Sequence, residues 1–393
     1  MNIKQMRRID YYVGGGICLL LQVYEGIRRI FGHNRGKELT EIKTVLVTKY
    51  LGMGSILLAT PMLRGLRQRY PQARIVFLTF KGNDALARLI DLIDEVDSFN
   101  TDTIFTFIWD IQRLLRKNMQ RRYDVVFDLE FFARFSTIVS YLSGAAIRVG
   151  YHLPKLWRGN LLTHRIYYNP HRHVTQVFTA QLEPFGIESS DMSPAKLHSK
   201  PQTREVVSGL LRQGGLVEGD TIISVNINAS ELSEERRWPL PYFLELMSYI
   251  ARDKSNVRLV LIGSKQEQQY VRDCIGLMAE DVRRCVTDLC GIIDIEGLVA
   301  LFEMSALFIT NDSGPLHIAG AVGTPTVALF GPETPTLYGP VGSASMVFYS
   351  GLYCSPCLNV YNAKTAPCKD NNVCMKEIKP MDVITRLKKE GIL

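Results

Sequence analysis

Residues 306–332 constrain the fold of this chain more than any other stretch. Ala306 to Ile309 is a buried-type apolar run, and the residues after it, Thr310-Asn311-Asp312-Ser313-Gly314, form a polar turn that ends in glycine. A small-residue helix is expected from about Pro315 to Val322, because Pro315 suits a first helical turn and Gly323-Thr324-Pro325 stops it. Thr326 to Phe330 then reads as the next strand. Strand, turn, helix and strand in so short a span belong to a parallel sheet. The turn is also a natural place for chemistry. Asp312 and Ser313 are N-cap types, and Gly314 lets a ligand approach the backbone. The amides and dipole of a helix start favour an anion, most often phosphate. An ordinary strand-to-helix turn accounts equally well for Asp-Ser-Gly taken alone.

Taken whole, the run resembles the nucleotide-sugar signature of the family 9 glycosyltransferases, the heptosyltransferase family of lipopolysaccharide assembly. There an Asp-Thr/Ser-Gly-x-x-His turn holds the donor diphosphate, and a Phe-Gly-Pro-Thr-x-Pro run follows. Here the turn is Asp312-Ser313-Gly314 with His317, and the second run is Phe330-Gly331-Pro332-Glu333-Thr334-Pro335. The resemblance covers about 44–340. It implies an α/β chain of the GT-B type, two Rossmann-like doubly wound domains facing a cleft, with the donor on the second and the acceptor on the first. It also implies inverting, metal-independent transfer of a sugar, a heptose in the family, with no cofactor required for catalysis. The donor would be a nucleotide-diphosphate sugar such as ADP-heptose, and the acceptor a lipid-linked or lipopolysaccharide-type saccharide. Two rival expectations stand beside it: a non-catalytic nucleotide-sugar-binding subunit at the membrane, and another GT-B-type enzyme such as a sugar epimerase.

A length of 393 residues and 46% hydrophobic content suit two cores. The expected divisions are an N-terminal arm at 1–41, a first domain at 42–200, a second at 201–378, and a helix at 379–393 that crosses back onto the first. Net charge is +7, and the first forty residues hold seven Lys/Arg against three Asp/Glu, a local +4. Basic residues beside an apolar run fit a membrane surface better than a nucleic acid. The uncharged run Tyr11–Tyr24 has 14 residues; as a helix it spans about 21 Å, short of a hydrocarbon core of about 30 Å. An interfacial anchor is therefore expected, with Leu19, Leu20, Val23, Ile27, Ile30 and Phe31 as its apolar face. A helix packed on its own protein and a signal segment stay open. Eight cysteines in so core-rich a chain read as a reducing compartment, which places the protein on the cytoplasmic face of the cell membrane.

In the first domain Lys43–Thr48 reads as a strand, Lys49–Ser55 as a glycine-containing turn, Ile56–Tyr70 as a helix and Arg74–Phe80 as the next strand. The resembled family carries Lys-x-x-x-Met/Leu-Gly-Asp in this place, with the Asp as general base. Lys49 and Gly54 match that pattern, whereas Ser55 stands at the Asp position. A serine hydroxyl does not take a proton unaided near neutral pH. Asp128 and Glu130 end the apolar strand Tyr123–Phe127 on one side of it, so either is a candidate for the missing carboxylate; a salt-bridged or capping pair is the plainer reading. Arg134, Arg148, His152, Lys155, Arg158, His164, Arg165, His171, Arg172 and His173 make 134–173 cationic, which suits a phosphorylated glycolipid acceptor or a solvated surface.

In the second domain Thr221–Asn226 reads as a strand and Leu240 to about Arg252 as a helix. Between them, Arg236-Arg237-Trp238-Pro239 resembles the family's Lys/Arg-x-Trp-Pro element, whose basic residue reaches the donor phosphates; the match falls on Arg236, with Arg237 a near substitute. Trp238 reads as packing. Glu267 stands where the family places a ribose contact, after the strand Val257–Gly263. Cys354, Cys357, Cys368 and Cys374 offer four thiols near the end of the chain, either as a structural zinc site or as free or reversibly paired thiols.

Overall fold

In a computed structural model of the chain, residues 3–31, 42–154, 157–229, 233–254, 256–362, 364–366, 368 and 371–393 are described. The chain divides into two compact units, Met1–Ala195 and Lys196–Leu393. The first contains β1 (Thr44–Thr48), β2 (Arg74–Phe80), β3 (Glu95–Phe99), β4 (Val125–Asp128), β5 (Ile147–His152) and β6 (His164–Tyr167), all parallel, in the order β3-β2-β1-β4-β5-β6. The second contains β7 (Thr221–Asn226), β8 (Val257–Leu261), β9 (Val286–Asp288), β10 (Leu307–Asn311), β11 (Thr326–Phe330) and β12 (Ser345–Tyr349), also parallel, in the order β12-β11-β10-β7-β8-β9. The central strands are buried along almost their whole length, as β1 and β10 show. Helices cover both faces of such a sheet, and its strands therefore read as continuous apolar runs.

The two sheets share one winding. In each, the strand order reverses beside the unit's first strand, between β1 and β4 and between β7 and β10. The crevice at the carboxyl ends of those strands is where doubly wound sheets take their ligands. Register fixes what meets there: Thr48 lies beside Asp128, and Asn226 beside Thr310.

Local sequence explains most departures from the expected elements. The helix expected over 56–70 is two helices, Met53–Leu58 and Thr60–Arg69. Pro61 has no N–H to continue the ladder, and the Thr60 hydroxyl instead donates to the Leu57 carbonyl at 2.6 Å. The last helix, Pro380–Lys389, buries Val383, Ile384 and Leu387 in the core that contains the helix Leu240–Asp253. The sequence suggested a return to the first unit; this helix spends its apolar face on the second.

The N-terminal arm consists of the helix Ile3–Ile9, a π-type turn Asp10–Gly14 and the helix Gly15–Ile30. One side is docked on the first unit. Cys18 packs with Ile138, Tyr141 and Leu161, and the Tyr141 hydroxyl donates to Glu25 at 2.7 Å. Asp10 accepts the amides of Arg134 and Phe135 at 3.1 and 2.6 Å. Those amides open the helix Arg134–Leu142, whose own N-cap, Ala133, has no side chain to offer. The other side of the arm is bare: Tyr12, Leu20, Ile30 and Phe31 are more than 70% exposed. No helix among the described residues is long and apolar enough to cross a membrane.

Candidate functional site

The expected catalytic residues gather at the carboxyl ends of β1 and β4. Gly52, at φ +85°, turns β1 into the helix Met53–Leu58, a backbone conformation that glycine adopts without strain. Lys49 and Glu130 are both buried within this turn. The Lys49 ammonium donates to Glu130 Oε1 at 2.9 Å and to the Leu51 carbonyl at 2.7 Å. The amides of Tyr50 and Leu51 donate to the same Glu130 oxygen. An ammonium and two amides on one carboxylate oxygen tie Glu130 into the turn and give it a structural role there. Lys49 is likewise held within this turn by Glu130 and the Leu51 carbonyl.

Asp128 lies deeper still. It is fully buried, accepts the Glu130 amide at 3.0 Å and the Ser136 hydroxyl at 2.8 Å, and pairs with the buried Arg158 at 3.3 Å. Burial pushes its carboxyl up to about 6, with Arg158 pulling it back. No surface of it reaches solvent, so it cannot serve an acceptor hydroxyl as base. Ser55 is half-buried and Gly54 buried on the helix Met53–Leu58. None of the three residues expected to be catalytic thus presents a free carboxylate.

The cationic stretch is partly structural too. Arg148 is buried and donates to the carbonyls of Leu161 and Ala145, and His173 caps its own helix by accepting the Thr175 amide. Arg165, His171 and Arg172 are exposed, Arg165 donating to Asn160. Burial lowers the pKa of both His152 and His164. Lys155 lies outside the described residues. A cleft of about 500 Å³ opens by the β3 edge, lined by Lys81, Arg88, Lys117, Glu95, Asp97 and Asp110 among others. Ion pairs such as Lys117–Asp97 and Lys81–Asp84 neutralise those charges locally, and the cleft is not at the point where the strand order reverses.

The second unit holds the better-formed site, at the ends of β7, β10 and β11. Ser313 sits at the start of the helix Gly314–Val322 but makes no capping bond to it. Its hydroxyl is taken by Thr310 at 2.9 Å and by the Asn226 amide at 3.2 Å. That helix start thus has no side-chain cap; Pro315 has no N–H and the Leu316 amide donates to the Ser313 carbonyl at 3.3 Å, so the Gly314 amide is the one an anion would meet first. Asn311 ties the neighbouring loops together: its oxygen accepts the Trp238 amide at 2.9 Å, and its nitrogen donates to the Asn228 carbonyl at 2.9 Å. Trp238 is fully buried and donates its ring N–H to Ile378, so it packs.

Charge converges on this turn. Arg236, nearly buried, stands 3.4 Å from Asp312 and 4.0 Å from Glu333. Lys364 pairs with the same Glu333 oxygen, Oε2, and lies 4.2 Å from the centre of the Tyr338 ring. Burial raises the pKa of Glu333 and lowers that of Lys364, each partner opposing the other's shift. Arg237 goes elsewhere. It stacks 4.8 Å over the Tyr270 ring and reaches Glu234, so it does not substitute for Arg236. Glu267 uses one oxygen to accept the Ser264 amide at 2.7 Å. It still borders the site: a Cβ on Gly263 would lie 3.2 Å from Glu267 Oε2 and 2.7 Å from Asn228 Nδ2, so glycine alone allows this approach. His317 is buried one turn into the helix.

The sequence pointed to Asp312, Ser313, Gly314 and Arg236, and the structure brings them together. Asn226, Asn228, Glu333 and Lys364 were missed. The asparagines had a signal, two amides just past an apolar strand. Lys364 had none, being 31 residues from its partner. No disulfide joins Cys354, Cys357 or Cys374. Among the described residues no three His, Cys, Asp or Glu side chains are placed to hold a metal ion.

Comparison with known proteins agrees with this geometry. The model of glycosyltransferase family 9 (heptosyltransferase) matches residues 111–366. The chain belongs to that family. Lipooligosaccharide heptosyltransferase 2 of Campylobacter jejuni subsp. jejuni serotype O:6 is 33% identical over 175 residues, 44% of this chain and 52% of the relative. The chain therefore spans about half the length of the curated relatives it matches first. The solved family 9 glycosyl transferase of Veillonella parvula covers 90% of this chain and 98% of its own at a TM-score of 0.73 and 23% identity. The Escherichia coli ADP-heptose lps heptosyltransferase II covers 88% and 98% at a TM-score of 0.70 and 19% identity. At such identities these two structures speak for the fold, which is of the GT-B type.

Proposed function

We propose that this family 9 member transfers a heptose from ADP-heptose, with inversion and without a metal ion, to a lipid-linked saccharide of the lipopolysaccharide type. The observation that carries the reading is the turn Asp312-Ser313-Gly314, an uncapped helix start with Arg236 beside it at the ends of β7 and β10. Fixed amides and a guanidinium are preorganised for a diphosphate and for the charge it gains on leaving. The printed name of the Escherichia coli neighbour supplies the identity of the donor for that protein, and we carry it to this one. The exposed apolar side of the arm supports work at a membrane surface.

The test is release of ADP from ADP-heptose in the presence of a heptose-deficient lipopolysaccharide core. Release that depends on the acceptor is the expected result. A protein that neither binds ADP-heptose nor releases ADP overturns the reading.

A second reading rests on one specific observation. Ser55 lacks a carboxylate, and Asp128 and Glu130 are both locked in buried networks. A chain that binds the donor without transferring it would look like this. Binding of ADP-heptose without turnover, together with turnover in Ser55→Asp, would support it over the first.

A further inference from the structure

Four charged side chains alternate in sign along one line at the donor turn: Asp312, Arg236, Glu333 and Lys364. They come from four segments, those following β10, β7, β11 and β12. The line is neutral, two cations against two carboxylates. A nucleoside diphosphate brings about two further negative charges to the helix start, and Arg236 is already shared between Asp312 and Glu333. Lys49, the other cation expected from the sequence, belongs to Glu130. Glu333 stands where the run resembled in the family has threonine. Glu333 is 0% exposed and the Lys364 side chain 18%. Lys364 is therefore largely stripped of water before a ligand arrives, which strengthens any new pairing it makes.

We propose that Lys364 is a second cation for the donor diphosphate, held in reserve by Glu333. In the ligand-free protein the ammonium pairs with Glu333 over the Tyr338 ring. When a diphosphate occupies the helix start, Lys364 and Arg236 turn part of their pairing to its oxygens. Glu333 then acts as a competitor that the ligand displaces, and it sets how tightly the diphosphate is held. This inference rests on the donor-site reading above.

Backbone bonds fasten the segment that leads from β12 toward Lys364. The Ser355 hydroxyl donates to the Gly331 carbonyl, and the amides of Cys357 and Leu358 donate to the Pro332 carbonyl at 3.0 and 2.8 Å. A Cβ at Gly331 would overlap the Met375 side chain, so glycine there lets the helix Val373–Lys376 pack close to the turn. Lys364 is also held by its own backbone, its amide donating to the Asn359 carbonyl at 2.9 Å.

The experiment measures ADP affinity by titration calorimetry for the unaltered protein, Lys364→Met, Lys364→Arg, Glu333→Gln and the double variant Lys364→Met/Glu333→Gln. Lys364→Met is expected to weaken ADP binding by about tenfold or more, the scale of one lost charge-assisted phosphate contact, and Lys364→Arg to hold it within about threefold. Glu333→Gln, which frees the ammonium, is expected to tighten it severalfold. The double variant removes both buried charges, so its melting temperature should return toward that of the unaltered protein while ADP stays weakly bound. Recovery of ADP affinity in the double variant overturns the proposal, because the pair would then be structural only. Equal weakening by Glu333→Gln and Lys364→Met overturns it as well. If ADP, GDP and UDP all fail to bind the unaltered protein, the donor-site reading itself falls and takes this inference with it.

Discussion

A buried carboxylate at the right strand end is not a general base by position alone, and Glu130 shows why. Its Oε1 is the meeting point of Lys49 and two backbone amides, so that oxygen is engaged in holding the β1 turn. Glu130→Gln leaves Lys49 buried without its counter-charge. We expect a stability loss on the order of 3 kcal/mol, the scale of a broken buried pair, with no change in the shape of any pH–rate profile. Denaturant unfolding and pH-dependent kinetics check both parts; a lost acidic limb at unchanged stability would make Glu130 the base. Arg236 is the opposite case. Arg236→Ala should raise the dissociation constant for ADP by about tenfold or more, since it removes a guanidinium that faces the uncapped helix start.

At the scale of elements, the arm is a helix pair with two different sides. Its inner side is keyed to the first unit by Asp10, which caps a helix lying 124 residues further along the chain. Asp10→Ala should cost about 1 kcal/mol, the usual worth of an N-cap, read from the unfolding midpoint. Its outer side makes no comparable contacts. Leu20→Glu combined with Ile27→Glu should leave the melting temperature almost unchanged, because both residues are at least half exposed. The same change should sharply reduce co-sedimentation with anionic vesicles; undiminished vesicle binding would remove the arm as a membrane contact. Another link ties β3 to the helix Ile104–Arg121. Burial opposes charge on Glu95, yet hydrogen bonds from Lys117 and Arg121 overcome it and hold the carboxyl down to about 2. A depressed carboxyl adds stability that is present above its unfolded value and is lost as pH falls through the folded one. The gap in stability between the unaltered protein and Glu95→Gln should therefore be full at neutral pH and close between about pH 4 and 2.

At the scale of the molecule, the same strand order is used twice, and each copy gathers buried polar groups at its reversal point. In the first unit the carboxylates Asp128 and Glu130 are taken by internal partners. In the second it leaves a helix start uncapped. ADP should accordingly slow amide exchange at the ends of β7, β10 and β11 while leaving the β1–β4 turn unaffected. At a hundred times its dissociation constant it should add about 2.7 kcal/mol of stability. Protection that appears at Tyr50 and Leu51 instead would move the donor to the first unit.

Elements rich in local information were legible. The strand Thr221–Asn226 and the strand Thr326–Phe330 were read to the residue, because apolar runs bounded by polar or glycine turns carry their own limits. The donor turn was legible for the same reason, as one contiguous run. The break at Pro61 was present in the letters but outweighed by the apolar spacing around it. Pairings across long separations were not legible at all: Lys49 with Glu130, Asp10 with the amides after Ala133, and Lys364 with Glu333.

By itself, then, the amino-acid order determined the alternation of strand and helix, the anion-binding turn and the basic, apolar arm, since each depends on neighbours a few positions apart. Only the tertiary structure decided which charged groups remain available for chemistry. The availability of a charge depends on burial and on partners far away in the chain, and at Glu130 and Lys49 those partners had already taken it.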